Sequence, residues 1–227
     1  EGATVLDAQV GAYYERPIIA LDFAGLYPSI MIAGNMCYSS LVMDPRFDNI
    51  PGVTYETYGS YKFAQNTESL LPQVLIELKQ FRSKAKKMMA IAKENKDKTL
   101  EKIYDGKQLA YKVSMNSVYG FTGAGRGMLS CVPIAASVTM KGRSMIKETK
   151  EYVESHFEGA KVRYGDTDSV MVEFDTQGRT GQDALEYAWK LGEQASEECT
   201  ALFKQPNELE LEKAYWPWIL YSKKSYA

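Results

Sequence analysis

The sequence predicts an α+β fold: an antiparallel sheet with packed helices, and a helical hairpin set apart from it. Three observations carry that prediction. Residues 162–174 form two apolar runs around Gly165-Asp166-Thr167-Asp168. In the second run Val170, Val172 and Phe174 alternate with Met171, Glu173 and Asp175, the period-2 pattern of a half-buried strand. Far upstream, Ile18-Ile19-Ala20-Leu21-Asp22-Phe23 is a buried-strand run broken by one acid. Between them lie two long helix-forming runs joined by the polar Lys93-Glu94-Asn95-Lys96-Asp97-Lys98, which makes an antiparallel helix pair.

Residues 1–16 read as irregular or short-strand structure, punctuated by Gly2 and Gly11 and followed by Pro17. In the run 18–23, alternation puts Asp22 on the face of Ile18 and Ala20. A charge there is costly unless it is paired or binds a cation. Residues 24–30 turn out of the strand into a short helix whose backbone amides could face an anion. Residues 44–67, rich in Pro, Gly, Asn and Tyr, read as loop or short hairpin. Helices are predicted from Ser69 to about Ala92, with Pro72 in the first turn, and from about Leu100 to Val118, with Gly106 as the place for a bend. Gly120 to Pro133 is glycine-rich and reads as loop. Further helices run from Ile134 to about Phe157 and from Asp183 to about Phe203. The latter packs through Leu185, Ala188, Trp189, Leu191, Gly192 and Ala195. In the hairpin between them Gly165 supplies the backbone freedom of the tight connection. Leu209–Glu212 and Trp216–Ser222 are the closing strands. No internal repeat or low-complexity tract is present.

Composition narrows the class. With 227 residues, 45% hydrophobic and 25% charged, the chain can hold one large domain or two small ones with a real core. No apolar run approaches the ~20 residues of a membrane span and no signal peptide opens the sequence, so an intracellular protein without a membrane partner is expected. Cys37, Cys131 and Cys199 are scattered and read as buried thiols in a reducing compartment, not metal ligands. A single histidine, His156, argues against a His-based zinc or iron site. The start at Glu1 and the stop after Lys223-Lys224-Ser225-Tyr226-Ala227 read as the ends of a piece of something longer. Net charge is −2, yet residues 79–112 hold eleven Lys/Arg against four Asp/Glu, a local +7 that leaves −9 elsewhere. Such a basic block suggests a polyanionic partner, against the blander reading of a solvated helix face.

Within that block Arg82 and Lys86 are i,i+4, and Lys112, Asn116 and Tyr119 are i, i+4, i+7, so each set shares one helix face. Two cationic faces in a hairpin could grip a triphosphate. Most of these lysines read equally well as solvated surface. Lys112 does so less, with Leu109, Val113 and Val118 as apolar neighbours.

Asp22 and Asp168 are the carboxylates to bring together, each where a strand meets a turn; the alternative for the Asp166–Asp168 tip is an ordinary turn. Oxygen-only ligation selects hard cations such as Mg²⁺, which keep several waters and bind substrate phosphates. At ~4 Å two unit charges repel by about 4 kcal/mol at an effective dielectric near 20, so clustered carboxylates wait for a divalent metal. Two ions ~3.5–4 Å apart activate an attacking hydroxyl and stabilise the leaving oxygen in phosphoryl transfer. With cationic faces for a triphosphate, nucleotidyl transfer is the consistent reading.

Three motifs in order carry a resemblance to the family B DNA polymerases, most closely their delta-like branch. Asp22-Phe23-Ala24-Gly25-Leu26-Tyr27-Pro28-Ser29-Ile30 resembles motif A, Lys112-Val113-Ser114-Met115-Asn116-Ser117-Val118-Tyr119-Gly120 motif B, and Tyr164-Gly165-Asp166-Thr167-Asp168-Ser169 motif C. Gly2-Ala3-Thr4-Val5-Leu6-Asp7-Ala8 and the wording of motif A are similar to polymerases of large algal DNA viruses. The resemblance implies a palm of residues 1–68 and 121–227 and fingers of residues 69–120. It implies Mg²⁺ as two ions, ligated by Asp22 and Asp168 with Asp166 close by as the less direct ligand, and Mn²⁺ as a substitute. Tyr27 would pack under the incoming sugar and exclude a 2′-hydroxyl, the alternative being a core tyrosine before Pro28. Leu26 and the backbone around Gly25 would cradle the triphosphate. Arg82, Lys112 and Asn116 would contact its phosphates, with Lys86 in support. Tyr119 and Gly120 would line the nascent base pair, Lys223, Lys224 and Tyr226 would meet DNA, and Glu212 matches an acid near the metals. The implied partners are primer-template DNA, dNTPs and a sliding clamp or other replication proteins, and the implied location is the nucleus or a viral replication site.

The sequence departs from the family where a serine common before Leu-Tyr is Gly25, and where Lys-Lys-Arg-Tyr reads Lys223-Lys224-Ser225-Tyr226. Neither thumb nor exonuclease domain is recognisable in the piece, so activity is expected of the whole protein. Two other classes remain to be separated. A palm-like nucleotidyl cyclase would not need Lys112, Asn116 and Tyr119 on one helix face, and a non-enzymatic DNA-binding module would leave Asp22 and Asp168 unexplained.

Overall fold

The computed structural model describes residues 6–227, so the expectations for residues 1–5, Gly2 to Val5 included, lie outside the described residues. The elements begin with β1 (Gly11–Tyr13), β2 (Ile18–Phe23), α1 (Leu26–Ala33), β3 (Leu41–Val42), β4 (Tyr55–Tyr58), β5 (Tyr61–Ala64), α2 (Leu70–Glu94) and α3 (Lys98–Thr122). They continue with α4 (Val132–His156), β6 (Lys161–Asp166), β7 (Ser169–Glu173), α5 (Gly181–Ala201), β8 (Leu209–Tyr215), β9 (Trp218–Ser222) and β10 (Ser225–Tyr226). Helices and antiparallel sheets give the α+β class that the sequence predicts. The chain divides into two compact units, Glu1–Ser29 with Thr139–Ala227, and Ile30–Val138.

The first unit is built on a four-stranded antiparallel sheet in the order β6-β7-β2-β8. Ile18, Ile19, Ala20 and Leu21 are fully buried, because both faces of β2 are covered. One face of the sheet meets α5, whose buried side is a stripe of small residues: Ala184, Ala188, Gly192, Ala195 and Cys199. A Cβ on Gly192 would come within 2.7 Å of Leu211 Cδ1 and 2.8 Å of Ile19 Cγ2, so the helix rides close on β2 and β8. That closeness corrects the predicted packing face: Trp189 is too large for it, stays 37% exposed and donates its indole N–H to Glu193 at 3.0 Å. On the other face Ile18 and Ala20 join Tyr164, Met171, Trp218 and Leu220 in one buried cluster. β9 brings the last two from a second sheet, β1-β9-β10. By alternation Asp22 continues this face beyond the cluster.

The β6–β7 hairpin is present, with a correction. Its left-handed residue is Thr167, at φ +46°, and not Gly165. Gly165 lies within β6, where a Cβ would meet Leu6 Cδ1 at 2.7 Å; the close approach of Leu6 requires the glycine, not the turn.

In the second unit α2 and α3 form the predicted antiparallel pair. Asp97 caps α3 by accepting the N–H groups of Thr99 at 3.1 Å and Leu100 at 3.0 Å, satisfying donors the helix leaves open. α3 runs through Gly120 to Thr122 and α4 begins at Val132, so the loop expected over 120–133 is shorter. One glycine does not break a helix, and α3 ends only at the run Gly123-Ala124-Gly125. Residues 44–67 hold the short hairpin β4–β5, which pairs with β3. Asn35 anchors its end by donating to the carbonyls of Ala64 at 2.8 Å and Thr67 at 2.9 Å. Cys37 and Cys199 are buried as expected, while Cys131 is partly exposed.

Candidate active site

Sheet register gathers the three aspartates at one edge of the first unit. Asp22 is opposite Ser169 of β7, and Asp166 is opposite the same Ser169. The backbone N–H of Phe23 donates to the carbonyl of Asp168 at 2.8 Å, which ties the ends of β2 and of the hairpin together. All three carboxylates are partly buried. The left-handed Thr167 lets the turn close between Asp166 and Asp168, and its hydroxyl donates to Asp166 Oδ1 at 3.0 Å. Ser169 Oγ donates to the Asp166 carbonyl at 3.3 Å.

On the other side of β2, Asp22 is opposite Glu210 of β8. The acid that the sequence singles out, Glu212, falls at an irregularity of the β2–β8 register, opposite no β2 residue, and pairs with Lys213 at 3.1 Å. Glu210 is therefore the nearer acid by register. The sequence alone could not place it, because the bulge shifts the strand by one residue.

Lys224 reaches this edge from the β9–β10 turn. Its ammonium lies 2.9 Å from Asp166 Oδ1, and its backbone N–H donates to the Tyr164 hydroxyl at 2.7 Å. The Asp166 carboxylate holds the Lys224 pKa above its ordinary value. Burial pushes the Tyr164 hydroxyl up. Tyr226 packs on Tyr164, Tyr215 and Trp218, with ring centroids 5.8–6.0 Å apart. Lys223 pairs with Asp7 at 3.2 Å on the surface. Ser225 is exposed.

The donors here suit a hard cation: carboxylate oxygens, without histidine or thiolate. Among the described residues no group of three or more His, Cys, Asp or Glu side chains closes into a ready-made metal cage. Two protein carboxylates, with the remaining shell drawn from water and phosphate oxygens, is the manner in which Mg²⁺ is usually held.

α1 starts directly after β2. Gly25 has φ +58°, with open space where a Cβ would stand, so the left-handed backbone and not crowding calls for glycine. Its carbonyl accepts the Ser29 N–H at 3.0 Å, and Ser29 Oγ donates to the Ala24 carbonyl at 3.1 Å. Leu26 is buried and Tyr27 partly buried.

The remaining predicted residues belong to the second unit. Arg82 is partly buried and donates through Nε to Gln108 Oε1 at 3.3 Å, bridging α2 and α3. Lys86, Lys112, Asn116 and Gly120 are exposed and Tyr119 is partly buried; burial pushes the Tyr119 hydroxyl up. Leu109 and Val113 are 53% and 57% exposed. Of its three apolar neighbours only Val118 is buried, and Lys112 itself is exposed, which corrects the sequence argument that set it apart from surface lysines.

Comparison with known proteins adds the family. The model of "DNA polymerase family B" matches residues 1–227. The chain is 50% identical over 237 residues to a DNA polymerase of Paramecium bursaria Chlorella virus NY2A, covering all of this chain and 26% of that protein. It is 48% identical over 239 residues to the DNA polymerase delta catalytic subunit of Glycine max, and 44% over 240 residues to that of Candida albicans. All of this chain is covered in both, with 21% and 22% of the relatives. The chain thus spans between a fifth and about a quarter of the length of these relatives.

Proposed function

The chain belongs to DNA polymerase family B, as its three motifs suggest, and on that premise we propose that it is the catalytic core of a DNA-directed DNA polymerase. The reaction is template-directed transfer of dNMP from a dNTP to a primer 3′-hydroxyl. The observation that carries the reading is the register of β2 against β7: it sets Asp22 beside the turn that holds Asp168 at one end of the two inner strands. Family B DNA polymerases use divalent metal ions, and here Asp22 and Asp168 would hold two Mg²⁺ ions, with Asp166 adjacent. When bound, the ions lower the pKa of the attacking hydroxyl and offset charge on the leaving oxygen. The chain's own groups orient the nucleotide. Tyr27, at the first turn of α1, sits under the sugar; the amides after Gly25 and the side chains of Arg82, Lys86, Lys112 and Asn116 meet phosphates; Tyr119 and Gly120 bound the base pair. Lys223, Lys224 and Tyr226 meet primer-template.

The first part of the palm is residues 1–68, the fingers 69–120 and the second part of the palm 121–227. The whole protein works at a nuclear or viral replication site with a clamp or other replication proteins. No helix among the described residues is long and apolar enough to cross a membrane.

Primer extension by the complete protein tests the function. Mg²⁺-dependent, template-matched addition of dNMP supports it. Cyclisation of a nucleoside triphosphate without a primer would indicate a cyclase, and DNA binding with neither activity a non-enzymatic module.

A further inference from the structure

We propose that Lys224 is a tethered counter-ion of the carboxylate edge: Asp166 holds its ammonium there, and that charge sets how tightly divalent cations bind at Asp22 and Asp168. Asp166 is then a positioning residue for Lys224. The inference rests on the metal reading of Asp22 and Asp168 given above.

The backbone is the first observation. Lys224 has φ +64° in the turn between β9 and β10, next to a register shift at Ser225 and Tyr226. A left-handed turn residue beside a bulge is a place for glycine, and a lysine there carries strain that glycine would not. The left-handed backbone fixes the direction in which the Lys224 side chain leaves the turn. The second observation is the tether. The Lys224 N–H donates to the hydroxyl of Tyr164 at 2.7 Å. Tyr164 is fully buried and lies two residues before Asp166 on β6. The third is the ion pair itself, Nζ to Asp166 Oδ1 at 2.9 Å, on the same oxygen that accepts from Thr167 at 3.0 Å.

Together these hold Lys224 to β6 at two points, by its backbone N–H at Tyr164 and by its ammonium at Asp166. An exposed lysine–aspartate pair alone holds its partner weakly. Here the backbone is held independently, which keeps the ammonium within reach of Asp166. Three aspartates at one edge repel each other. A resident cation relieves that repulsion and at the same time opposes an arriving divalent ion. It also keeps Asp166 Oδ1 engaged.

The test is binding of Mn²⁺ alone to the complete protein, without DNA or nucleotide, followed by loss of the free-ion paramagnetic resonance signal. K224M and K224G should bind Mn²⁺ ~3- to 10-fold tighter, the scale of removing one partly screened charge from a carboxylate site. K224R should bind like wild type. In a D166N background, K224M should change affinity by less than about twofold, because the ammonium is no longer held in place. K224G gives the turn the residue its backbone favours, so loss of folding cannot account for the result. Affinities of K224M and K224G within about twofold of wild type, while D22N or D168N still abolishes Mn²⁺ binding, would overturn the proposal. If D22N and D168N both bind Mn²⁺ as wild type does, the metal reading fails, and the counter-ion role with it.

Discussion

Tyr27 shows how a single position becomes testable. It stands at the second residue of α1, one turn after Asp22, and is partly buried. A steric gate needs bulk at that point, so Tyr27→Ala or Tyr27→Val should admit ribonucleotides while dNTP incorporation continues. Steady-state discrimination between a dNTP and its ribonucleotide measures this. Unchanged discrimination in an active variant would return Tyr27 to the role of a core tyrosine. Arg82 and Lys112 belong to the same scale. A charge-assisted hydrogen bond contributes roughly 1.5–3 kcal/mol, so each Ala variant should lower catalytic efficiency about ten- to a hundred-fold with primer-template affinity nearly constant. For Arg82 part of the loss is structural, because its Nε also links α2 to α3 through Gln108; Arg82→Lys should recover less than Lys112→Arg. A loss confined to DNA affinity would place either residue on the duplex.

At the scale of elements, α5 and α3 respond oppositely to the same kind of change. Gly192→Leu should destabilise the protein by about 1–3 kcal/mol through overpacking, since its Cβ would already press on Leu211 and Ile19. Gly106→Ala, inside α3 with nothing within 4 Å of the new carbon, should stabilise by roughly 0.5–1 kcal/mol. Urea unfolding of both variants measures the contrast; equal signs would contradict the packing described. The same α5 stripe carries Cys199, whose thiol burial pushes up to about 12. The folded state then resists deprotonation, so stability is full below the ordinary thiol pKa and falls as pH rises from about 9 towards 12. The fall approaches about 1.4 kcal/mol per pH unit for one proton. Cys199→Ala should flatten that part of the pH profile by one proton; an unchanged slope would place the thiol in a more hydrated setting.

These elements also show what the sequence could and could not reveal. Strands 18–23 and 169–173 were legible because β-branched and aliphatic runs with a lone acid have few alternatives. The helix pair was legible from its length and its polar tip. The packed side of α5 was not, because periodicity favours large apolar residues while the sheet selects small ones. The β8 bulge hides Glu210 from the sequence, and Gly165 misleads because glycine signals a turn more often than a close approach. The Lys224 link to Asp166 depends on a pairing across 58 residues that no local pattern encodes.

For the whole molecule, the division of labour follows the two units. One carries the carboxylate edge, and the other carries Arg82, Lys86, Lys112, Asn116, Tyr119 and Gly120. Legibility divides the same way: acids in strands announce a metal by their cost, whereas exposed cations on helices resemble any solvated face, so motif B needed the resemblance. The claim on which everything else depends is that Asp22 and Asp168 act as metal ligands for nucleotidyl transfer. Rapid single-turnover primer extension with Mg²⁺, comparing the complete wild-type protein with Asp22→Ala and Asp168→Ala, measures it most directly. Metal stabilisation of the transferring phosphoryl contributes several kcal/mol, so each variant should lose on the order of a thousand-fold or more in rate while binding primer-template as well as wild type. Extension by either folded, DNA-binding variant within about tenfold of wild type would contradict the account.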